Sequence, residues 1–349
     1  MAVDSLGVLE TLRGAPEQLA TAHEAATVAL DRADLPPADA FDHLVMMGMG
    51  GSGVVGDIVA AIGATALPIP VTVSKTYRVP AFVGPRTLAI AVSYSGDTEE
   101  TVAMAESARA AGAFLVTMSS GGALAALGAG QQALHVPCTP GIAMPRTALG
   151  TMVGPVFALL AHLRLMPEAH AALVRAQEQL ARRRDQCVPE IEGDRNPARE
   201  LARVIGRTIP LIHGAGVVGQ VAALRWKASI NENAKAPAFW NTYPELDHNE
   251  ICAWGQHGDV TRQVMSLIVL RHGFEPPRVD ARVRITTETI AEAFARVVTV
   301  DAVGDGPLAQ LLDLIALGDW ASCYLALDND VDPGPIDAIA GLKAALARQ

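Results

Sequence analysis

The chain has 349 residues, half of them hydrophobic and only 4% aromatic, and a formal net charge of −10. That length supplies two domains with aliphatic cores rather than one, and the acidic balance leaves no broad basic face for nucleic acid or an anionic membrane. Cys138, Cys187, Cys252 and Cys323 are widely separated and form no CxxC pair, so neither a disulfide framework nor structural zinc is expected, and a reducing cytoplasm fits best. The first residues carry an acid at Asp4 and no continuous apolar run, which predicts no signal peptide. The most apolar stretch, 151–166, is interrupted by Gly154, Pro155, His162 and Arg164, too short and too broken to span a bilayer.

In chain order, Leu6, Leu9, Leu12, Leu19, Ala22 and Ala26 fall near helical spacing and predict a helix over 5–33, ended by Pro36 and Pro37. Short apolar runs then alternate with Gly-rich turns. They predict strands at 44–48, 70–74, 87–92, 114–118 and 133–136, with helices at 53–63, 98–111 and 122–129 between them. Such alternation means a parallel sheet covered on both faces. A Pro-rich loop (Pro137, Pro140, Pro145) leads to two long helices over 147–165 and 167–184. A second unit follows, with a helix at 199–206 and a strand at 209–213. Further strands are expected at 238–240, 265–270, 283–285, 297–300 and 322–326, and helices at 217–233, 258–264, 287–295, 306–318 and 336–347. Gly53-Val54-Val55-Gly56 and Gly216-Val217-Val218-Gly219 each follow a strand and a Gly-rich turn, which suggests two related α/β halves. The expected division is 1–154, a helical linker 155–195, and 196–349.

Three motifs carry chemistry. Gly48-Met49-Gly50-Gly51-Ser52-Gly53 reads as GxGxxG, where glycines let the backbone approach a phosphate and the next helix N-terminus favours the anion. A dinucleotide fingerprint also needs an acid about twenty residues on, and Ser74 and Lys75 stand there. Ser93-Tyr94-Ser95-Gly96-Asp97-Thr98 follows an apolar strand and opens a helix. Its three hydroxyls and the free N–H groups of the first turn make an anion cradle without Lys or Arg. Ordinary N-capping explains one hydroxyl but not three, and Asp97, Glu99 and Glu100 must point away from a bound phosphate. The third motif, 226–250, gathers Asn231, Glu232, Asn233, Lys235, Glu245, His248, Asn249 and Glu250 in an otherwise aliphatic chain. A carboxylate and an imidazole there could serve one substrate as base and acid.

A strand ending in SxSGxT before a helix resembles the sugar isomerase (SIS) domain, a phosphosugar-binding α/β fold. With the 48–53 turn, Pro145-Arg146, the segments 231–235 and 245–251, and Leu342-Lys343, the whole chain resembles the bifunctional phosphoglucose/phosphomannose isomerases. The fold so implied is α/β, two SIS-type doubly wound parallel-sheet subdomains related by pseudo-duplication. The implied reaction is aldose–ketose isomerisation of hexose 6-phosphates by proton transfer through a cis-enediol, with no metal and no cofactor. Glu232 matches the catalytic base, and its place near a helix end, where the dipole disfavours negative charge, suits that role. His248 matches a ring-opening residue that reaches the site from the neighbouring subunit of a homodimer. Lys343 matches a second ring-opening or proton-shuttling residue, and Arg146 a cation beside the enediolate. Gly51, Ser52, Ser93, Ser95 and Thr98 match substrate and phosphate contacts. Phe239, Trp240, Tyr243 and Trp254, crowded around the His248 segment in a chain with few aromatics, fit a buried subunit contact.

The chain departs from the family at three places. Asp97 and Asp247 stand where the family often has Asn, and Gly334 stands where it commonly has a Thr associated with mannose 6-phosphate. The mannose activity is therefore more in question than the glucose activity. Competing readings are a phosphosugar-binding SIS protein without catalysis, a nicotinamide-dependent oxidoreductase, and an aminotransferase of the glucosamine-phosphate type. Glu232, His248 and Lys343 together oppose the first, Ser74-Lys75 opposes the second, and the lack of a visible ammonia source opposes the third.

Overall fold

The computed structural model describes residues 3–130 and 133–349. Strands β1 (His43–Met47), β2 (Val71–Ser74), β3 (Thr87–Val92), β4 (Phe114–Ser119) and β5 (Ala133–Pro137) form one sheet in the order β2-β1-β3-β4-β5. Strands β6 (Ile209–Ala215), β7 (Phe239–Tyr243), β8 (Met265–Arg271) and β9 (Arg296–Asp301) form a second in the order β7-β6-β8-β9. Every pairing is parallel. The chain has two such sheets with helices on their faces, the covered parallel sheets that the alternating pattern implied and the doubly wound pair of SIS-type halves that the resemblance implied.

Because side chains alternate across a strand, a sheet covered on both sides needs apolar residues at every position. Leu44, Met46, Leu88, Ile90, Val116 and Met118 face a large central core. Their neighbours Val45, Met47, Ala89, Ala91 and Leu115 face a smaller outer one, which includes Met104 of α4 (Glu99–Ala110) and Leu124 of α5 (Gly122–Gly128). The second sheet does the same, with Ile212, Ile268 and Leu270 toward the central core and Leu211, Leu267 and Val269 toward an outer cluster. The central core is thus shared by both sheets. It is filled by α2 (Ala15–Leu30), α6 (Leu149–His162), α7 (Ala169–Cys187) and α12 (Pro307–Asp328). Helix α6 lies close on α2 because Gly150 and Gly154 have no side chain there: a Cβ at Gly154 would stand 2.8 Å from the backbone of both Leu19 and His23. It runs unbroken through Pro155.

Several sequence expectations change. The helix foreseen over 5–33 is two, α1 (Val8–Arg13) and α2, broken at Gly14. The strand expected at 283–285 lies inside helix α11 (Pro277–Ile290), begun by a proline in its first turn, and a short 3₁₀ turn over 291–293 replaces the rest of the helix at 287–295. The strand expected at 322–326 belongs to α12, which is buried nearly all round and so shows no amphipathic period. The helix foreseen over 217–233 is α9 (Gly216–Ser229), followed by a π turn, Ile230–Ala234.

The duplication also has a different register. Helix α3 (Gly50–Ala66) follows β1 as α9 follows β6, and both open on a glycine in the left-handed region, Gly50 at φ 53° and Gly216 at φ 58°. Gly48, Gly50 and Gly53 therefore correspond to Gly214, Gly216 and Gly219. The four-residue match read by eye is displaced by three positions.

Candidate active site

Residues from both halves meet where α3 opens. Gly51 lies on the backbone of the 145–146 turn, and a Cβ there would be 2.9 Å from Arg146 Cα and 3.3 Å from Pro145 O. Glycine is needed for that contact. Ser52 is buried, donates its hydroxyl to Met152 Sδ at 3.3 Å and accepts from the Tyr94 N–H at 3.2 Å. The 48–53 turn is thereby joined to the turn after β3. In that turn the Ser93 and Thr98 hydroxyls share a hydrogen bond of 2.8 Å, and the Gly96 N–H donates to Ser93 Oγ at 3.2 Å. Thr98 sits at the N-cap of α4 but makes no side-chain capping bond, so its hydroxyl is not spent on the helix. Ser95 is exposed at the rim. Asp97 does point away from the cradle: its Oδ1 accepts from the Ala123 N–H of α5 at 2.8 Å.

Arg146 bridges to the other half. It is only 4% exposed, and its Nε donates to Asn233 Oδ1 at 2.8 Å. Its Nη2 donates to the carbonyls of Pro333 and Gly334 at 2.7 and 2.6 Å. Burial lowers the guanidinium from its ordinary pKa, and Glu232 is the strongest charge acting the other way. Glu232 sits on the π turn beside Asn233, half-buried. Single π turns occur frequently at functional sites because they re-aim side chains that a regular helix would space evenly. This turn ends at Lys235, a non-glycine residue at φ 52°, and Asn231 Nδ2 ties it to Ala236 O at 2.8 Å.

A cleft of about 550 Å³ opens over this turn, lined by Asn231, Glu232 and Lys235 on one side and by Asp332, Ile336 and Ile339 on the other. Lys235 was not singled out for a role from sequence. Its Nζ donates to Asp332 O at 2.7 Å and Asn233 O at 3.2 Å, and partial burial together with the Arg146 charge lowers its pKa. Lys235 and Arg146 thus hold three consecutive carbonyls, those of Asp332, Pro333 and Gly334. Neither the proline nor the Gly334 that departs from the family pattern has a side chain that would signal this clamp.

Two expected residues are not brought to Glu232 within one chain. His248 ends a short 3₁₀ turn, Glu245–His248, is exposed, and makes no side-chain hydrogen bond among the described residues. Lys343 lies on α13 (Asp337–Leu346), a helix with no buried residue, and is exposed. Neither lines the cleft. Glu250, close behind His248, is anchored: its Oε1 accepts from His213 at 2.8 Å and its Oε2 from Asn241 at 2.7 Å. The aromatic residues expected as contact surface mostly turn inward. Tyr243 is buried and Trp254 packs on Phe294 at 4.6 Å, so the aromatic argument for a subunit contact rests on Phe239, 55% exposed. Among the described residues no helix is long and apolar enough to cross a membrane.

Comparison with known proteins agrees with this architecture. The family model described as "Bacterial phospho-glucose isomerase C-terminal SIS domain" matches residues 194–346. A bifunctional phosphoglucose/phosphomannose isomerase of Caldicellulosiruptor bescii is 33% identical over 343 residues, covering 97% of this chain and 99% of the relative. One of Thermoplasma acidophilum is 30% identical over 309 residues, covering 88% of this chain and 90% of the relative. Among solved structures, the C-terminal domain of glucosamine-fructose-6-phosphate aminotransferase from Francisella tularensis superposes with a TM-score of 0.73 at 13% identity, covering 94% of this chain and 98% of that one. That last likeness bears on the fold alone. With one relative 33% identical over 97% of the chain and another 30% identical over 88% of it, this protein belongs to the bifunctional phosphoglucose/phosphomannose isomerase family.

Proposed function

We propose that the protein interconverts aldose and ketose hexose 6-phosphates, glucose 6-phosphate with fructose 6-phosphate and, in the bifunctional sense of its relatives' names, mannose 6-phosphate as well. The observation that carries the reading is the joining, through Gly51, Arg146 and Asn233, of an anion cradle in the first half to a carboxylate in the second. In this reading Ser93, Ser95, Thr98 and the free N–H groups of α4 hold the phosphate, with Gly51 and Ser52 against the substrate. Glu232 removes the proton from C2 of the open-chain aldose. The C–H electron pair becomes the C1=C2 bond of a cis-enediolate, and the carbonyl pair moves onto O1. Arg146, already fixed by three hydrogen bonds, stabilises that oxyanion without reorganising. O1 gains a proton and O2 loses one, and Glu232 returns its proton to C1 as the ketone forms at C2. No step in this sequence draws on a cofactor.

In the same reading His248 and Lys343 open the sugar ring. Both are exposed and away from the cleft of their own chain, which suits a homodimer in which His248 serves the partner's site. The chain divides at 1–154, 155–195 and 196–349, and its workplace is the cytoplasm. The direct experiment is an isomerase assay with glucose 6-phosphate and mannose 6-phosphate in parallel. Binding of both without turnover would favour a phosphosugar-binding protein instead. The dimer has its own test. Inactive Glu232→Gln chains are exchanged with inactive His248→Ala chains, so that each mixed dimer has one intact site. Random mixing makes half the dimers mixed, and activity should return to roughly a quarter of the parent value. No recovery despite demonstrated exchange would remove the shared-site proposal.

A further inference from the structure

The hydrogen bonds that hold Arg146 continue beyond Asn233. Asn233 Nδ2 donates to Ser322 Oγ at 2.9 Å, and that hydroxyl donates to the Asp319 carbonyl, one turn back on α12, at 2.8 Å. The Asp319 carboxylate accepts from Arg225 Nε at 3.0 Å, from Arg225 Nη2 at 2.9 Å and from the Ser229 hydroxyl at 2.5 Å. Arg225 Nη2 also donates to the backbone carbonyl of Arg146 at 2.6 Å. The path leaves Arg146 by its guanidinium and returns to its carbonyl, a closed ring through Asn233, Ser322, Asp319 and Arg225. Its members are buried, at 4, 2, 1, 5 and 2% exposure in that order from Arg146.

A carboxylate and a guanidinium this deep are expensive to desolvate, and apolar residues would join α9 to α12 at less cost. What a fully satisfied polar ring supplies is direction: each bond fixes an angle as well as a distance. Here the fixed objects are the Arg146 guanidinium and the π turn, with Glu232 one residue from a ring member. We propose that Ser322 and Asp319, which lie on α12 and do not line the cleft, are positioning residues that set the placement of Arg146 against Glu232 for the proton-transfer step. This rests on the isomerase reading above.

Asp319→Asn leaves the buried Arg225 charge without its ion pair and can simply fail to fold, so the test uses Ser322→Ala and Asn233→Ala, which remove ring links while the Arg225–Asp319 pair and the carbonyls holding Arg146 stay in place. Steady-state kinetics on fructose 6-phosphate and thermal unfolding are measured for the parent, the two single variants and the double variant. Positioning predicts that Ser322→Ala lowers kcat by roughly tenfold or more while KM stays within about twofold. It also predicts that the double variant loses no more kcat than the worse single variant, because both cut the same ring. Unchanged kcat in Ser322→Ala, with or without a lower unfolding temperature, would overturn the proposal, as would losses in kcat that add in the double variant. A parent inactive on every hexose 6-phosphate would instead overturn the isomerase reading, and this proposal with it.

Discussion

The turn after β3 and the turn after β8 occupy the same place in the two sheets, and each opens a helix on the same face. In the first, the hydroxyls of Ser93 and Thr98 meet at the start of α4 with Ser95 exposed beside them, and Asp97 is turned to α5. In the second, Glu275 stands in the turn between β8 and α11. Its carboxylate accepts from Arg271 Nε at 2.9 Å, from Arg271 Nη2 at 2.6 Å and from the His272 N–H at 2.8 Å, with only 3% of the side chain exposed. The first turn presents hydroxyls, whereas the second carries a carboxylate already paired with its own strand end. In the proposed reading the same frame is divided between a binding half and a half that lends its π turn and Glu232 to the chemistry. Duplication supplies two equivalent positions, and local side chains decide which of them a ligand can enter.

The strongest way to break this division is Glu232→Gln, which should keep the fold and lower kcat on fructose 6-phosphate by about 10²–10⁴, the usual loss on removing a general base. A variant turning over near the parent rate would move the base elsewhere. Next comes the hydroxyl-lined turn after β3. Ser95→Ala and Thr98→Ala should each weaken binding of a sugar-phosphate inhibitor by about 1.5–3 kcal/mol, the scale of hydrogen bonds to a charged group, as read by calorimetry. The turn after β8 should behave in the opposite sense. Glu275→Gln is expected to leave inhibitor affinity unchanged while costing about 1–2 kcal/mol of stability in denaturant unfolding, since Arg271 keeps Asp280 as a partner. Weakened inhibitor binding in Glu275→Gln would break the contrast between the two turns.

The smallest expected effect separates the halves by pH. His23 is buried beside His170, their facing nitrogens 2.8 Å apart, and burial lowers its pKa from the ordinary 6.5. A lowered histidine makes the native state bind fewer protons than the unfolded chain, so stability falls as pH drops below about 6.5. In the second half, burial raises Glu250, but its bonds from His213 and Asn241 outweigh that and hold it below the ordinary 4.5. Its contribution is present above 4.5 and is lost only as pH falls through the lowered value. Between these limits the layer of α2, α6 and α7 should loosen first. Unfolding temperature measured against pH should slope there in the parent and flatten in His23→Gln.

The parallel sheets were legible because their strands are short, continuously apolar and punctuated by glycine, a pattern that buried parallel strands require. The hydroxyl cluster after β3 was legible because three hydroxyls in six residues exceed what capping needs. Two expected strands were lost to helices because Val283-Arg284-Ile285 alternates like a strand while Pro277 starts a helix around it, and because 322–326 is apolar on every side. The carbonyl clamp by Arg146 and Lys235 could not be read at all, since its acceptors are backbone. His248 and Lys343 carry family roles in the sequence, yet one folded chain leaves both exposed.

Arg146 meets the carbonyls of Pro333 and Gly334 across 187 and 188 positions of sequence. The arginine is made in the first half of synthesis, but the groups that hold it emerge almost last. Contacts of such separation form late, after the intervening chain has paid its closure entropy. A nascent chain can therefore complete its first sheet, and the hydroxyl-lined turn after β3, while Arg146 is still unheld. In the proposed reading the clamp acts as a completion check, because Arg146 is fully held only once residues 333 and 334 have reached it.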